Sequence, residues 1–198
     1  MNGNNIQAYI LAGGKSSRMG TEKGLVSLQG QPFIEHIIRT LKNITSNISI
    51  LSNNNLYNHL GFPVFADIEK EKGPLGGIHT GLVNSNKEYN LFVSCDIPLI
   101  NTQILNHLIA GINHSNNTFI ASHGSNKEPL CGIYSKKNTA LIKKLLDKNE
   151  LSVHKALEHL NAKYIDVSTE PFYNKNIFYN INSKEELKKL EEELLCTR

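Results

Sequence analysis

Short apolar runs alternate with amphipathic stretches along the chain, and the alternation predicts a regular exchange of strands and helices. Residues 6–11 (IQAYIL) form a compact apolar run that gives way to small residues, the pattern of a buried strand entering a loop. Pro32 opens a helical repeat that places Phe33, Ile34, Ile37, Ile38 and Leu41 on one face. Residues 48–52 predict a second strand, residues 54–60 a short helix stopped by Gly61, and residues 63–67 (PVFAD) a third strand. A glycine-rich turn at 73–77 (GPLGG) leads into a helix around 78–84, and LFVSCD at 91–96 predicts a strand that ends on an aspartate. A helix over 102–111 follows, then strands at 118–122 and 129–135 joined by a polar loop. Helices over 137–147 and 152–160 and a strand over 162–167 come next. Ser183 caps a last helix over 184–195, with Glu185 and Glu186 in its first turn.

Strands alternating with helices predict an α/β fold, a three-layer Rossmann-like arrangement with a mostly parallel central sheet covered on both faces. No internal repeat and no Pro/Ser-rich linker divides the chain, so one domain over residues 1–198 is the simplest partition. A length of 198 residues suffices for one sizeable core, and 39% hydrophobic with 20% charged residues argues against disorder. The net charge of +3 is spread along the chain instead of forming a basic stripe. That argues against a nucleic-acid partner and suits small anionic ligands. Cys95, Cys131 and Cys196 fit neither a CxxC pair nor a zinc ribbon, and their odd number argues against a disulfide framework. Free thiols in a reducing compartment are expected. The polar start Met1-Asn2-Gly3-Asn4-Asn5 and the short apolar run after it read as neither signal peptide nor membrane span, so a cytoplasmic protein without a membrane partner is expected.

Ligands of such sheets bind at the carboxyl ends of the strands. Three segments are expected there: the loop after residues 6–11, the turn at 73–77, and Asp96. The first loop, Leu11-Ala12-Gly13-Gly14-Lys15-Ser16-Ser17-Arg18-Met19-Gly20, is not a Walker A motif, because Gly14 and Gly20 are six apart and Thr21 follows. It is not GxGxxG either, because Lys15 stands at the second glycine position. It does offer two adjacent glycines whose amides can approach phosphate oxygens, and the cations Lys15, Arg18 and Lys23. Arg18 can grip a phosphate with two parallel hydrogen bonds, and Lys23 adds a point charge. The bland alternative is a tight turn with solvated charges. Asp96 either binds Mg²⁺, which takes about six oxygen ligands, many from water and phosphate, or caps a turn before Pro98. Asp67 either accepts hydrogen bonds from a base or ribose or caps a turn. The histidines do not cluster; His154 and His159 lack an intervening glutamate at the metalloprotease spacing, and Ser16 and Ser17 have no His–Asp partners at a recognisable spacing.

The segment LAGGKSSRMGTEKGLVSLQGQPFIEHII resembles the N-terminal signature of the molybdenum cofactor guanylyltransferase family, within the nucleotidyltransferase superfamily. The resemblance continues through Asp67 and GPLGGI at 73–78, SCDIP at 94–98, EPLCGIY at 128–134 and FYNINSKEEL at 178–187, and so covers nearly the whole chain in order. The first block is shared with many nucleotidyltransferases, and the GG pair with the NIN block points to this family. The resemblance implies transfer of GMP from GTP to the terminal phosphate of molybdopterin, with release of pyrophosphate and Mg²⁺ as cofactor. It implies that Leu11, Ala12, Gly13, Gly14, Lys15, Lys23, Asn54, Asp67, Gly76, Gly77 and Asp96 bind nucleotide. Asn54 stands for a run in which Asn53 and Asn55 are its neighbours. Arg18, Lys23 and Asp96 would be catalytic, Asp96 would hold the metal, and Asn180 and Asn182 would face the acceptor. Residues 1–100 would carry the nucleotide part and 101–198 the acceptor part, with transient contacts to other cofactor-biosynthesis proteins or acceptor apoenzymes. The rivals are a CTP-dependent pterin or a sugar- or polyol-phosphate nucleotidyltransferase, and a non-catalytic nucleotide-binding module of the same fold.

Overall fold

The computed structural model of the chain describes residues 6–13 and 22–196. Strand β1 (Ile6–Leu11) is an interior strand, third from one edge, of a seven-stranded sheet. Two very short strands, β2 (Ser27–Leu28) and β3 (Gln31–Pro32), form a hairpin of their own, and helix α1 (Phe33–Lys42) follows directly. Then come β4 (Ile48–Leu51), β5 (Val64–Phe65), α2 (Gly73–Asn84), β6 (Tyr89–Ser94), α3 (Thr102–Ala110), β7 (Thr118–His123) and β8 (Asn126–Ser135). The chain ends with α4 (Thr139–Asp147), α5 (Val153–His159), β9 (Ala162–Asp166) and α6 (Lys184–Cys196). The sheet order is β5-β4-β1-β6-β8-β7-β9, and only β8 runs antiparallel to its neighbours. The expected mostly parallel sheet is therefore present.

The continuous apolar runs have a geometric cause, because a sheet covered on both faces buries both sets of alternating side chains. Ile6, Ala8 and Ile10 of β1 join α1 (Ile34, Ile37, Leu41) and α3 (Ile104, Leu108) in one cluster. Tyr9 and Leu11, one residue out of phase, join α2, α4 and α5 in a second cluster. The result is helix, sheet, helix. A smaller third cluster packs Leu28 and Phe33 against Ile181 and Leu190, tying the C-terminal helix to the β2–β3 hairpin. None of the described helices is long and apolar enough to cross a membrane.

The elements depart from the sequence reading at five places. Residues 54–60 do not form a helix; only Asn58–Leu60 makes a tight turn, capped by Gly61 at φ 76°. Asparagine competes with helix formation by bonding its own backbone, and Asn54 Oδ1 accepts from Leu56 N at 3.0 Å. The third strand shrinks to two residues at the sheet edge. The GPLGG segment is not a turn before a helix but the first turn of α2 itself. Pro74 sits in that first turn, where its missing N–H leaves no helical bond unmade. The polar loop of 123–128 is mostly strand, since His123 faces Asn126 across a two-residue turn with Gly124 at φ 57°. The β2–β3 hairpin was not read from the sequence at all; Gln29 and Gly30 turn it with φ of 51° and 79°.

Candidate active site

In the β5-β4-β1-β6 part of the sheet the chain steps outward from β1 to β4 and β5, then returns to the other side of β1 with β6. The carboxyl ends of β1 and β6 therefore flank the point where the strand order reverses, the place where open α/β sheets bind ligands. Leu11 pairs with Ser94 there, and the ladder continues with Cys95 N donating to Leu11 O at 3.1 Å. Ala12 N donates to Leu51 O at 3.0 Å on the other side. Gly13 follows, exposed at the mouth. Gly14, Lys15 and Arg18 lie outside the described residues.

Lys23 opens a short 3-10 turn (Lys23–Leu25) and reaches the end of β6. Its ammonium donates to Asp96 Oδ2 at 2.8 Å, to Asn182 Oδ1 at 2.6 Å and to Asn180 Oδ1 at 3.1 Å. The residues read separately as nucleotide-side and acceptor-side thus meet on one nitrogen. Local sequence explains the arrival of the asparagines. Ile181 is buried in the third cluster and donates its N–H to the Asp96 carbonyl at 3.1 Å, so its two neighbours both remain outside. Behind them, Ser183 and Glu186 form a capping box: Ser183 Oγ accepts from Glu186 N at 3.1 Å, and Glu186 Oε2 accepts from Ser183 N at 2.9 Å. The same carboxylate oxygen accepts from Asn182 N at 2.6 Å, which fixes that residue over the site.

Asp96 has a second feature. Its Oδ1 is buried and accepts no hydrogen bond among the described residues. A buried carboxylate oxygen left without a partner is costly, and a hard cation or a ligand donor is what such an atom accommodates. No group of three His, Cys, Asp or Glu among the described residues is placed to hold a metal by itself. A single carboxylate nevertheless fits Mg²⁺, which keeps several waters and takes substrate phosphates as ligands. The neighbouring Cys95 is no nucleophile at neutral pH, because burial, reinforced by the charge of Asp96, pushes its thiol up to about 12.

The remaining candidates line the rim between β4, β5 and α2. Asp67 Oδ2 accepts from Asn53 Nδ2 at 2.7 Å, and Asn53 Oδ1 accepts from Asp67 N at 2.9 Å. Asn54 is held elsewhere, its amide donating to Glu22 Oε1, while Tyr57 Oη donates to Glu22 Oε2 at 3.4 Å. So Asn53 is the asparagine beside Asp67, and Asn54 instead steadies the segment that leads to Lys23. Gly76 and Gly77 are buried in α2, and a Cβ on Gly77 would come within 2.9 Å of Leu11 Cδ2 and 3.7 Å of Asp67 Oδ1. A pocket of about 190 Å³ opens beside the Lys23 cluster, its lining running from Asp96 and Asn180 to Lys127, Glu128 and His154. Glu22, Glu128 and His154 were not singled out as site residues from the sequence. Their roles arise from tertiary placement, and no spacing signal marks them.

The chain has counterparts among known proteins. Residues 8–163 match the family model described as MobA-like NTP transferase domain. A protein of Flavobacterium johnsoniae named as a probable molybdenum cofactor guanylyltransferase is 40% identical over 186 residues, which is 93% of this chain and 96% of that protein. The molybdenum cofactor guanylyltransferase of Vibrio campbellii is 36% identical over 182 residues, 90% of this chain and 91% of that protein. Among solved structures, molybdopterin-guanine dinucleotide biosynthesis protein A of Archaeoglobus fulgidus superposes with a TM-score of 0.80 at 24% identity, covering 96% of this chain and 98% of that one. A CMP:2-keto-3-deoxy-manno-octonic acid synthetase bound to CTP superposes at 0.78 with 12% identity, covering 98% of this chain and 100% of that one. These two structural likenesses establish the shared fold.

Proposed function

The chain belongs to the molybdenum cofactor guanylyltransferases, nucleotidyltransferases of the MobA-like NTP transferase family, and on that premise we propose that it joins GMP from GTP to the terminal phosphate of molybdopterin. The observation that carries this reading is the Lys23 ammonium shared by Asp96, Asn180 and Asn182 at the switch point of the sheet.

In the proposed step an acceptor phosphate oxygen bonds to the α-phosphorus of GTP in line with the departing oxygen. The bond from that phosphorus to the β-phosphate oxygen breaks, and its electron pair leaves with pyrophosphate. No general base is required, because a phosphate monoester with a second pKa near 6 is largely ionised at neutral pH. The protein's work is positioning and charge neutralisation. Lys23 lies where donor and acceptor phosphates meet, and Asn180 and Asn182 can exchange their bond to Lys23 for bonds to the acceptor. Asp96 Oδ1 would hold Mg²⁺, which supplies further neutralisation of the phosphates when bound. Gly13, Gly14, Lys15 and Arg18 would receive the leaving phosphates, and Asp67 with Asn53 would face the nucleoside. The β1 and β6 ends carry the nucleotide side, while the NIN segment and the pocket beside it carry the acceptor side. No nucleic acid or membrane takes part, and the reaction belongs in the cytoplasm, where the product passes to acceptor apoenzymes.

Label transfer tests the bond that forms. With GTP labelled at the α-phosphorus, Mg²⁺ and molybdopterin, label is expected in the pterin dinucleotide, and Asp96→Ala is expected to lower the rate by about 10²- to 10³-fold. Undiminished transfer by Asp96→Ala at saturating Mg²⁺ would contradict the metal-holding role. Label retained wholly in GTP or GMP would contradict the reaction.

A further inference from the structure

The β7–β8 hairpin contains a large irregularity. Ile120 faces Gly132, yet the next residue, Ala121, faces Glu128, so Pro129, Leu130 and Cys131 are surplus to the ladder with β7. Bulges re-aim side chains and gather beside active sites. This one is deliberately held: Tyr134 Oη donates to the Pro129 carbonyl at 2.7 Å, satisfying a group the bulge leaves inside the protein. Residues 127–131 all line the pocket that Asp96 and Asn180 also line.

Glu128 stands at the start of the bulge. Its Oε1 accepts from His123 Nε2 at 2.9 Å. With the proton on Nε2, His123 Nδ1 is an acceptor, and Tyr173 Oη donates to it at 3.1 Å. The His123 ring stacks on Phe178, with centroids 4.9 Å apart and planes 13° from parallel. The carboxylate is therefore aimed by groups from the hairpin and the segment before α6, and no described group donates to Oε2. Lys127 does not neutralise it; that ammonium lies over the Tyr164 ring, 4.2 Å from its centroid.

A carboxylate in the pocket of a phosphorylated ligand adds repulsion, and a ligand that presents hydrogen-bond donors to it offsets that repulsion. Carboxylates only accept, and they accept best from two parallel donors. We infer that Glu128 selects the acceptor by its ring, its two oxygens taking the ring N–H and the exocyclic amino group of a 2-amino-4-oxopyrimidine edge. His123 is the positioning residue for it. The inference rests on the pterin-phosphate reading of the acceptor given above and adds the residue that recognises the pterin.

The probes are 6-hydroxymethylpterin phosphate and 6-hydroxymethyllumazine phosphate, which carries oxygen in place of the 2-amino group, titrated by fluorescence into the full chain. The wild-type protein is expected to prefer the pterin by roughly 10- to 100-fold, the range for a lost hydrogen bond to a charged group. Glu128→Gln, which places an N–H₂ where an acceptor is needed, is expected to lose that preference while GTP affinity stays unchanged, showing an intact fold. Equal binding of both probes by the wild-type protein, or a preference retained in Glu128→Gln, overturns the assignment of Glu128 and leaves the transfer reaction standing. Binding of neither probe also overturns it, and the label-transfer experiment then shows whether the pterin reading falls with it.

Discussion

An ammonium has three N–H donors, and Lys23 uses them on Asp96, Asn180 and Asn182. Its side chain and that of Asp96 are only 19% and 14% exposed, so solvent screens this pair far less than the exposed Lys188–Glu192 pair. Replacing Lys23 with Met keeps the stem and removes the charge. Turnover is expected to fall by about 10²- to 10³-fold, measured as kcat at saturating substrates. Asn182→Ala leaves the cation and Asp96 in place, so its main effect is expected on the KM of the acceptor, with the KM of GTP little changed. That these residues are candidates was legible from short motifs and the family resemblance: the lysine after the glycine-rich loop, the aspartate at the end of a strand, the NIN run before a capped helix. Their meeting on one nitrogen was not, because Lys23 and Asn182 are 159 positions apart and only the docking of Ile181 joins them. The run Asn53-Asn54-Asn55 shows the same limit. The exit of β4 decides which amide faces Asp67, and the residue there is Asn53.

At the scale of elements, α2 packs closely against the sheet. A Cβ on Gly81 would come within 2.6 and 2.8 Å of the buried Phe92 ring and 3.2 Å of Tyr9. Those two rings stack at 5.2 Å and cannot easily yield. Gly81→Ala is therefore expected to cost about 1–3 kcal/mol in urea unfolding. His79, on the same helix, is buried with its Nδ1 unpartnered among the described residues. Burial lowers its pKa below the ordinary 6.5, with the nearby Glu69 opposing the shift. A histidine harder to protonate when folded lets the unfolded chain take up protons first. Its stabilisation is complete above 6.5 and is lost as pH falls through 6.5 toward the folded value. Urea midpoints measured from about pH 7.5 to about pH 5.5 should fall less steeply in His79→Leu than in the wild-type protein. An equal slope in both would show that His79 titrates alike in both states. Helices such as α3 and α6 were legible to within a residue at each end. The outer part of the β7–β8 hairpin was not, since a polar sequence (HGSNKE) extends the two strands there under the pull of the partner strand and of the His123–Glu128 bond.

At the scale of the molecule, the order of alternating apolar runs was enough to place a mostly parallel sheet between two helical layers. The antiparallel β8, wedged between β6 and β7, had no sequence mark, because its apolar half resembles any buried strand. That wedge carries the 127–131 bulge to the pocket beside Asp96. A ligand that binds only the folded protein stabilises it by mass action, so GTP with Mg²⁺ at about 100-fold its Kd should add about 2.7 kcal/mol. CTP at the same concentration should add much less. The most direct measurement of the transfer reaction is pyrophosphate release from each of the four nucleoside triphosphates, with Mg²⁺ and molybdopterin present. Release with GTP alone, dependent on molybdopterin, is the expected result; release driven by CTP, or no acceptor-dependent release with any nucleotide, would contradict guanylyl transfer.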